Sequence, residues 1–325
     1  VPQLVGGHEL YVTLSIGISV YPDDSHDVDT VMQNADTAMY FAKANRRNNY
    51  QFFKAFMNTQ AIRRLCVENN LHRALKQEEF QLHYQPQIDP ASGAITGAEV
   101  LIRWLYPEHG LILPKQFIPI AEDCGLIVPI GQWVLREACR QVQAWLDAGL
   151  RAVPVAVNIS AVEFRHKSFL ESVTLILKET GLAPRYLELE LAESIFMHDA
   201  EHSAPVFKAL RAMGVQLAID GFGTGYSSLS YLKRFPIDTL KIDHSFVHDI
   251  TTNADDAAIV AAVIGMGKKL RQRVIAEGVE TQEQLDLLRT QRCDKVQGSQ
   301  ISRPLPAEDF ARLLASGNRR AARLS

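Results

Sequence analysis

The sequence predicts an α/β fold, a (β/α)8 barrel with a small α+β piece ahead of it. Three observations carry that expectation. From about residue 60 onward, apolar strands and amphipathic helices take turns without a long break. About eight such strands can be counted, which favours a closed barrel over an open sheet. Residues 60–316 also match the ~250 residues usual for a barrel of this kind.

The first part of the chain reads differently. "YVTLSIGISVY" (11–21) alternates Val12, Leu14, Ile16, Ile18 and Val20 on one face, the pattern of a half-buried strand. Pro22, Asp23 and Asp24 make a turn, and a helix follows from Thr30 to Ala44, with Val31, Ala35, Ala38, Met39 and Ala42 at helical spacing. "NRRNNYQFF" supplies a loop and a short strand, and "VGGHEL" (5–10) a tight hairpin turn. These few elements bury too little apolar surface to stand alone, so residues 1–58 read as a remnant or a docked flap.

The barrel is expected over 59–318. A helix covers 61–77, and the strand "FQLHYQP" (80–86) stops at Pro86. "TGAEVLIRW" precedes a helix near 131–148, "VPVAVNIS" one near 168–180, and "YLELELAES" one near 203–213. "VQLAIDGFG" leads to a short helix near 227–233. "IDTLKIDHSF", "RVIAEGVE" and "DKVQG" continue the alternation, with helices near 255–271, 281–290 and 307–315. Residues 319–325 form a solvated basic tail.

Composition narrows the function. With 47% hydrophobic and 22% charged residues the 325-residue chain is ordinary soluble protein. A net charge of -3 offers no surface for a nucleic-acid polymer, so a phosphate ligand needs a local site. Cys66, Cys124, Cys139 and Cys293 are scattered, without a Cys-x-x-Cys pair, and read as small buried thiols kept reduced in the cytoplasm. The longest apolar run, near "AIVAAVIGMG", is far short of a membrane span. The chain opens "VPQL" without an initiator Met and reads as cut from a longer protein, which membrane or sensor domains can precede.

Chemistry in such barrels collects where strands meet their following loops. The residues there are Glu99, Asn158, Glu190, Asp220, Lys241 with Asp243, Glu277 and Gln297. A single polar residue at a strand end is normally just leaving the core. A succession of them in apolar settings, with carboxylates at 99, 190, 220 and 277, is different. Like charges on one rim repel unless cations share them. Oxygen ligands without a His or Cys cluster suit Mg²⁺ or Mn²⁺, one or two ions, rather than Zn²⁺. Such a site polarises phosphate and activates water. Lys241 can stabilise developing phosphorane charge or hold the attacking water; its structural alternative is an ion pair with Asp243 or Glu277. Glu277, in "AEGVE", is a candidate general base, and Glu280 reads as supporting. None of the ten histidines has metal-ligand spacing; His83 and His244 read as packing or surface residues.

Residues 62–316 resemble the EAL domain, the cyclic di-GMP phosphodiesterase module of bacterial signalling proteins. The blocks that carry the resemblance are "YQP", "EVLIRW", "FIPIAEDCGLI", "VNIS", "ELAES", "IDGFGTGYSSLSYLKRFPIDTLKID", "IAEGVET" and "VQGSQISRPLP". The first segment is similar to the C-terminal end of a GGDEF domain, without the half that would bind GTP and metal, so no cyclase activity is expected. The resemblance implies a TIM-like barrel with one antiparallel strand, and metal-dependent hydrolysis of cyclic di-GMP to linear pGpG. It implies Glu99, Asn158, Glu190 and Asp220 as metal ligands, and Lys241 and Asp243 at the reacting phosphate. It implies Glu277 as general base, Gln297 as the site glutamine, and Gln85 and Arg103 as ligand contacts, Arg103 being able to fork onto a phosphate. Glu193 would steady the glycine loop, which also shapes a homodimer contact.

The chain departs from the family pattern at four places. Val100 replaces Ala in the name motif, leaving Glu99 intact. Ala192 replaces a usual Thr, removing a supporting hydroxyl. Ser299 stands where an aromatic is common, which weakens guanine packing by ~1 kcal/mol. Gly221 stands where a second Asp helps hold the second metal. Losing that ligand should cost at least ~10–100-fold in metal affinity, or ~1.4–2.7 kcal/mol. The expected outcome is a phosphodiesterase with a weakened second metal site. The alternative is a catalytically silent cyclic di-GMP receptor that signals through the glycine loop and dimer contact.

Overall fold

The computed structural model describes residues 3–5, 8–10, 14–44, 48–107, 110–197, 200–224 and 235–316. It divides into two compact units, residues 1–73 and 74–325.

In the first unit, β1 (Gln3–Val5) and β2 (His8–Leu10) pair antiparallel. The turn residues expected between them, Gly6 and Gly7, lie outside the described residues. β3 (Ile16–Ile18) and β4 (Tyr50–Phe52) pair in parallel, with the helix Val28–Ala44 between them in sequence. Asp27 starts that helix two residues earlier than expected, because its carboxylate accepts from the Thr30 backbone at 2.9 Å. The helix lies directly on Gly17, where a Cβ would stand 2.0 Å from the Ala35 carbonyl oxygen. The covered face of β3 is therefore the glycine face. The alternating apolar face, read from sequence as half-buried, is instead largely exposed: Leu14 is 68% and Ile16 52% accessible. A single helix covers only one side of a two-stranded sheet.

The second unit is a closed barrel. Its strands are β5 (Phe80–Ile88), β6 (Ile95–Tyr106), β8 (Val155–Ile159), β9 (Leu187–Ala192), β10 (Gln216–Phe222), β11 (Thr239–Ile242), β12 (Arg273–Ala276) and β13 (Lys295–Val296). Pairing runs β6–β8–β9–β10–β11–β12–β13 in parallel, and β5 closes the ring antiparallel to both β13 and β6. The expected barrel with one antiparallel strand is what forms. Two short strands missed in the sequence, β7 (Gly110–Ile112) and β14 (Leu305–Pro306), add to β6 and β5.

One strand end needs correction. β5 does not stop at Pro86 but runs through it to Ile88. On the side away from β6, β14 pairs with His83 and Tyr84, and β13 pairs with Ile88. Pro86 falls between those two partners, so its missing N–H costs no ladder bond there.

The helices match within a few residues, with two exceptions at their starts: the first observed span is Ala55–Lys76, and the next long one is Ile127–Asp147. The helix Pro114–Asp123, with proline in its first turn, escaped the sequence reading. The short helix expected at 227–233 and the tail at 319–325 lie outside the described residues. Among the described residues no helix is long and apolar enough to cross a membrane. Of the cysteines whose side chains are described, Cys139 and Cys293 are buried and Cys124 is half-buried, all as free thiols.

The chain leaving β8 is pinned by a capping box. Ser160 accepts from the Glu163 backbone at 3.1 Å, and Glu163 accepts from the Ser160 backbone at 3.0 Å. Glu163 is 5% exposed and sits against Gly131, where a Cβ would stand 1.5 Å from its Oε1. Burial pushes its carboxyl up to about 7, against the pull of the Ser160 hydrogen bonds. The native state thus holds this proton more tightly than the unfolded chain. Its contribution to stability is complete below about pH 4.5 and is lost as pH rises toward about 7. Urea unfolding across that window should show Glu163→Gln flatter than the wild type, by a slope approaching ~1.4 kcal/mol per pH unit.

Candidate active site

Alternation along the strands gathers one charged cluster at the C-terminal rim. Glu188 and Glu190 share a face of β9 with the residues they bond on β11, while Leu187, Leu189 and Leu191 take the other. Lys241 is the centre. Its ammonium lies 2.5 Å from Glu190 Oε2, 2.6 Å from Glu277 Oε1, 3.5 Å from Asp220 Oδ1 and 3.8 Å from Glu99 Oε2. The Lys241 side chain is 1% exposed, that of Glu190 is fully buried, and that of Asp220 is 35% exposed. Burial alone would lower the lysine, but the surrounding carboxylates, Glu190 and Glu277 first, hold it well above the ordinary value. Burial also raises Glu190 well above the carboxylate range, and the neighbouring acids add to this against Lys241. Glu277 is pushed up to about 7, chiefly by burial, with Glu99 and Asp220 adding to it against Lys241. One ammonium cannot neutralise four carboxylates, and the surplus negative charge adds to the upward shifts that burial sets for Glu190 and Glu277.

Glu99 is tied from several sides. Asn158 Nδ2 donates to its Oε1 at 2.7 Å, and Gln297 Nε2 to its Oε2 at 2.5 Å. Gln297 also donates to Gln85 Oε1 at 3.0 Å, and Gln85 donates to the Ser302 carbonyl at 3.0 Å. The antiparallel register puts Gln85 directly opposite Glu99. Above these groups opens a cleft of about 310 Å³, lined by Gln85, Glu99, Asp220, Lys241, Glu277, Gly278, Glu280, Gln297, Gly298 and Ser299.

Asp220 reaches the cluster through a bulge. The β10–β11 register steps from Ile219↔Leu240 to Phe222↔Ile242, leaving one extra residue on β10. Gly221 takes φ +67°, a left-handed conformation that favours glycine. Thr224 Oγ1 donates back to the Gly221 carbonyl at 2.8 Å and closes the turn. Ala192 lies beside Asp220 in the β9–β10 ladder, where a threonine hydroxyl would neighbour the carboxylate.

Asp243 caps the helix His244–His248, accepting from the Ser245 backbone at 2.9 Å. Burial raises its carboxyl, but the Ser245 and His244 contacts together bring it below the usual range. Arg103 follows Glu99 by four residues on β6, so it shares that face, and its Nη1 donates to the Ile102 carbonyl at 2.9 Å. Glu193 opens the helix Glu193–Met197, and the glycine loop it was expected to steady is described only to Thr224. Glu280 lines the cleft just before the helix Gln282–Thr290. His244 and His248 are exposed, and His83 is half-buried.

Among the described residues no three His, Cys, Asp or Glu side chains converge with metal-binding geometry. The acids turn to Lys241 instead. The donor set still suits a hard cation: Glu99, Asn158, Glu190 and Asp220 offer only oxygen acceptors, and among the described residues the buried Glu190 Oε1 has no hydrogen-bond partner.

The family model of the EAL domain matches residues 68–304. The chain belongs to the EAL domain family. A model of the diguanylate cyclase GGDEF domain matches residues 1–49 of this EAL protein. The bifunctional diguanylate cyclase/cyclic di-GMP phosphodiesterase MucR of Pseudomonas aeruginosa is 46% identical over 315 residues, covering 97% of this chain and 46% of MucR. The cyclic di-GMP phosphodiesterase NbdA of the same organism is 42% identical over 314 residues, covering 96% of this chain and 40% of NbdA. The chain therefore spans less than half the length of either relative. The solved structure described as PaMucR phosphodiesterase, c-di-GMP complex, matches with a TM-score of 0.73 and 47% identity, over 75% of this chain and 99% of that one.

Two buried residues of this EAL barrel went unnoticed in the sequence. Gln87 donates to Gln297 Oε1 at 3.1 Å, and Lys295 donates to Gln87 Oε1 at 3.4 Å. Each lies two residues from an expected site residue, Gln85 and Gln297, so period-two alternation carries the signal.

The lysine's role can be tested directly. Lys241→Met leaves the acids without their central cation. In chelator, urea unfolding should show a loss of ~3–5 kcal/mol near neutral pH. The loss should shrink near ~pH 5, where the raised carboxyls take up protons. An equal loss at both pH values would contradict the electrostatic account.

Proposed function

We propose that this EAL domain hydrolyses cyclic di-GMP to linear pGpG in a reaction that needs Mg²⁺ or Mn²⁺. The observation that carries this reading is the ring of Glu99, Glu190, Asp220 and Glu277 around buried Lys241, of which Glu99, Asp220, Glu277 and Lys241 itself line the cleft. The phosphodiesterase names of MucR and NbdA and the nucleotide complex named for PaMucR support the substrate.

Glu99, Asn158, Glu190 and Asp220 would hold the metal, which when bound polarises phosphate and lowers the pKa of water. Glu277 accepts a proton from the attacking water. Its carboxyl, pushed up to about 7, is matched to that exchange near neutral pH. Lys241 places a fixed positive charge beside the carboxylates and stabilises charge developing on the phosphate. Gln85 and Gln297 present amides to the nucleotide from the cleft wall. Arg103 and Asp243 act at its margin. A homodimer and a cytoplasmic setting rest on the family resemblance alone.

Gly221 weakens the second metal position, so turnover is low and conditional on metal. The same glycine favours a second reading, a receptor that binds cyclic di-GMP without cleaving it.

Hydrolysis measured against Mn²⁺ concentration separates the two. The wild type should turn over slowly and respond to added Mn²⁺. Gly221→Asp should gain at least ~10-fold at limiting metal. Among the described residues a Cβ at 221 meets Thr224 Oγ1, at 3.7 Å, an ordinary contact. Tight cyclic di-GMP binding with no turnover at any metal level would establish the receptor reading instead. Glu99→Ala should abolish turnover, and surviving activity there would remove the metal mechanism.

A further inference from the structure

A polar chain runs beneath the cleft from Lys295 to Glu99. The Lys295 ammonium donates to Gln87 Oε1 at 3.4 Å and to the Thr96 carbonyl at 3.3 Å. Gln87 Nε2 donates to Gln297 Oε1 at 3.1 Å, and Gln297 Nε2 donates to Glu99 Oε2 at 2.5 Å. Gln87 is 1%, Gln297 4% and Lys295 7% exposed. Gly97 leaves the space they use: a Cβ there would stand 2.5 Å from Gln87 Oε1 and 2.9 Å from Lys295 Nζ.

The direction of this chain follows from its ends. A carboxamide donates from one side and accepts on the other, and on its own can face either way. An ammonium has only donors, and a carboxylate only acceptors. With Lys295 at one end and Glu99 at the other, both glutamines must turn oxygen toward the lysine and NH₂ toward the glutamate. We propose that Lys295 and Gln87 are positioning residues that lock Gln297 as a donor and so hold the Glu99 carboxylate in place for metal. The metal role rests on the reading of Glu99 under the proposed function. Neither Lys295 nor Gln87 lines the cleft, so each acts through Gln297.

Charge and relay predict opposite signs. Lys295→Met and Gln87→Glu each make the barrel interior more negative by one charge. Coulomb attraction alone would then strengthen Mn²⁺ binding. Loss of the relay weakens it, because a ligand that has lost its orienting partner typically costs ~10–100-fold in metal affinity.

Titration calorimetry with Mn²⁺ alone, without nucleotide, reads the sign. Both variants should bind at least ~10-fold more weakly while keeping the wild-type melting temperature. Unchanged or tighter binding overturns the proposal. If Lys295→Met does not fold, Gln87→Glu decides, since it keeps a partner for the buried ammonium. A second readout needs no metal: the Gln297 side-chain amide signal in the nitrogen–proton spectrum should move in Lys295→Met, although Lys295 does not bond Gln297. If the wild-type chain takes up no Mn²⁺, the metal reading fails by itself. That amide signal then decides the relay, movement supporting it and an unmoved signal overturning it.

Discussion

An ammonium taken out of water without partners costs several kcal/mol, and Lys241 is 1% exposed. Its burial depends on carboxylates delivered from separate elements. Glu99 comes from β6, Glu190 from β9, Asp220 from β10 and Glu277 from the turn after β12. Slipping any of these strands by one residue would turn its acid to the opposite face. The ion cluster and the barrel register therefore specify each other. The acids, outnumbering the lysine, need the lysine in turn, and the surplus negative charge is what suits the rim to a cation.

The interior stays polar below this level. Arg273 Nη2 donates to Glu188 Oε2 at 2.8 Å and to Thr239 Oγ1 at 3.0 Å, and also bonds Gln216. Such groups are tolerable only when paired, and pairing makes them specific rather than strongly stabilising. Apolar packing is supplied elsewhere. Phe196 and Phe207 stack at 4.8 Å, with Phe164 4.9 Å from Phe207, and Tyr84 packs 4.9 Å from Trp145. The barrel thus divides its labour: aromatic clusters contributed largely by the surrounding helices supply hydrophobic burial, while the lumen carries charge.

Alternation made most of this legible. Asn158, Glu190, Asp220, Lys241 and Gln297 were expected at strand ends together with Glu99, and the structure brings all six together, although Glu99 lies inside the longer β6 (Ile95–Tyr106) rather than at its end. The same rule failed where a local signal interrupted it. Ending β5 at Pro86 hid Gln87, which shares a face with Gln85. Reading the apolar face of a half-buried strand as its covered side missed, from Leu14 to Val20, that the helix packs on the flat glycine side of β3; Val12 lies outside the described residues. Asp243 follows Lys241 by two, and its carboxylate also serves as a helix cap, a contact that spacing does not announce. Spacing identifies the face a side chain occupies. Which neighbour claims it depends on the loop that follows, and that is set by tertiary contacts.

Gly221 shows how the two kinds of information combine. In the sequence it is simply a position without a ligand atom. In the fold it is the left-handed residue of a bulge, φ +67°, immediately after Asp220. Bulges next to active sites re-aim side chains. Asp220 Oδ1 ends 3.5 Å from Lys241 because the strand breaks register at this place. Glycine takes that conformation without strain, whereas an aspartate there adopts it at some cost. Under the metal reading, the glycine gives up one oxygen while easing the turn that aims another. The family's usual aspartate would reverse that exchange, accepting backbone strain for an added ligand. Metal dependence, more than fold stability, is where the difference between the two residues should register.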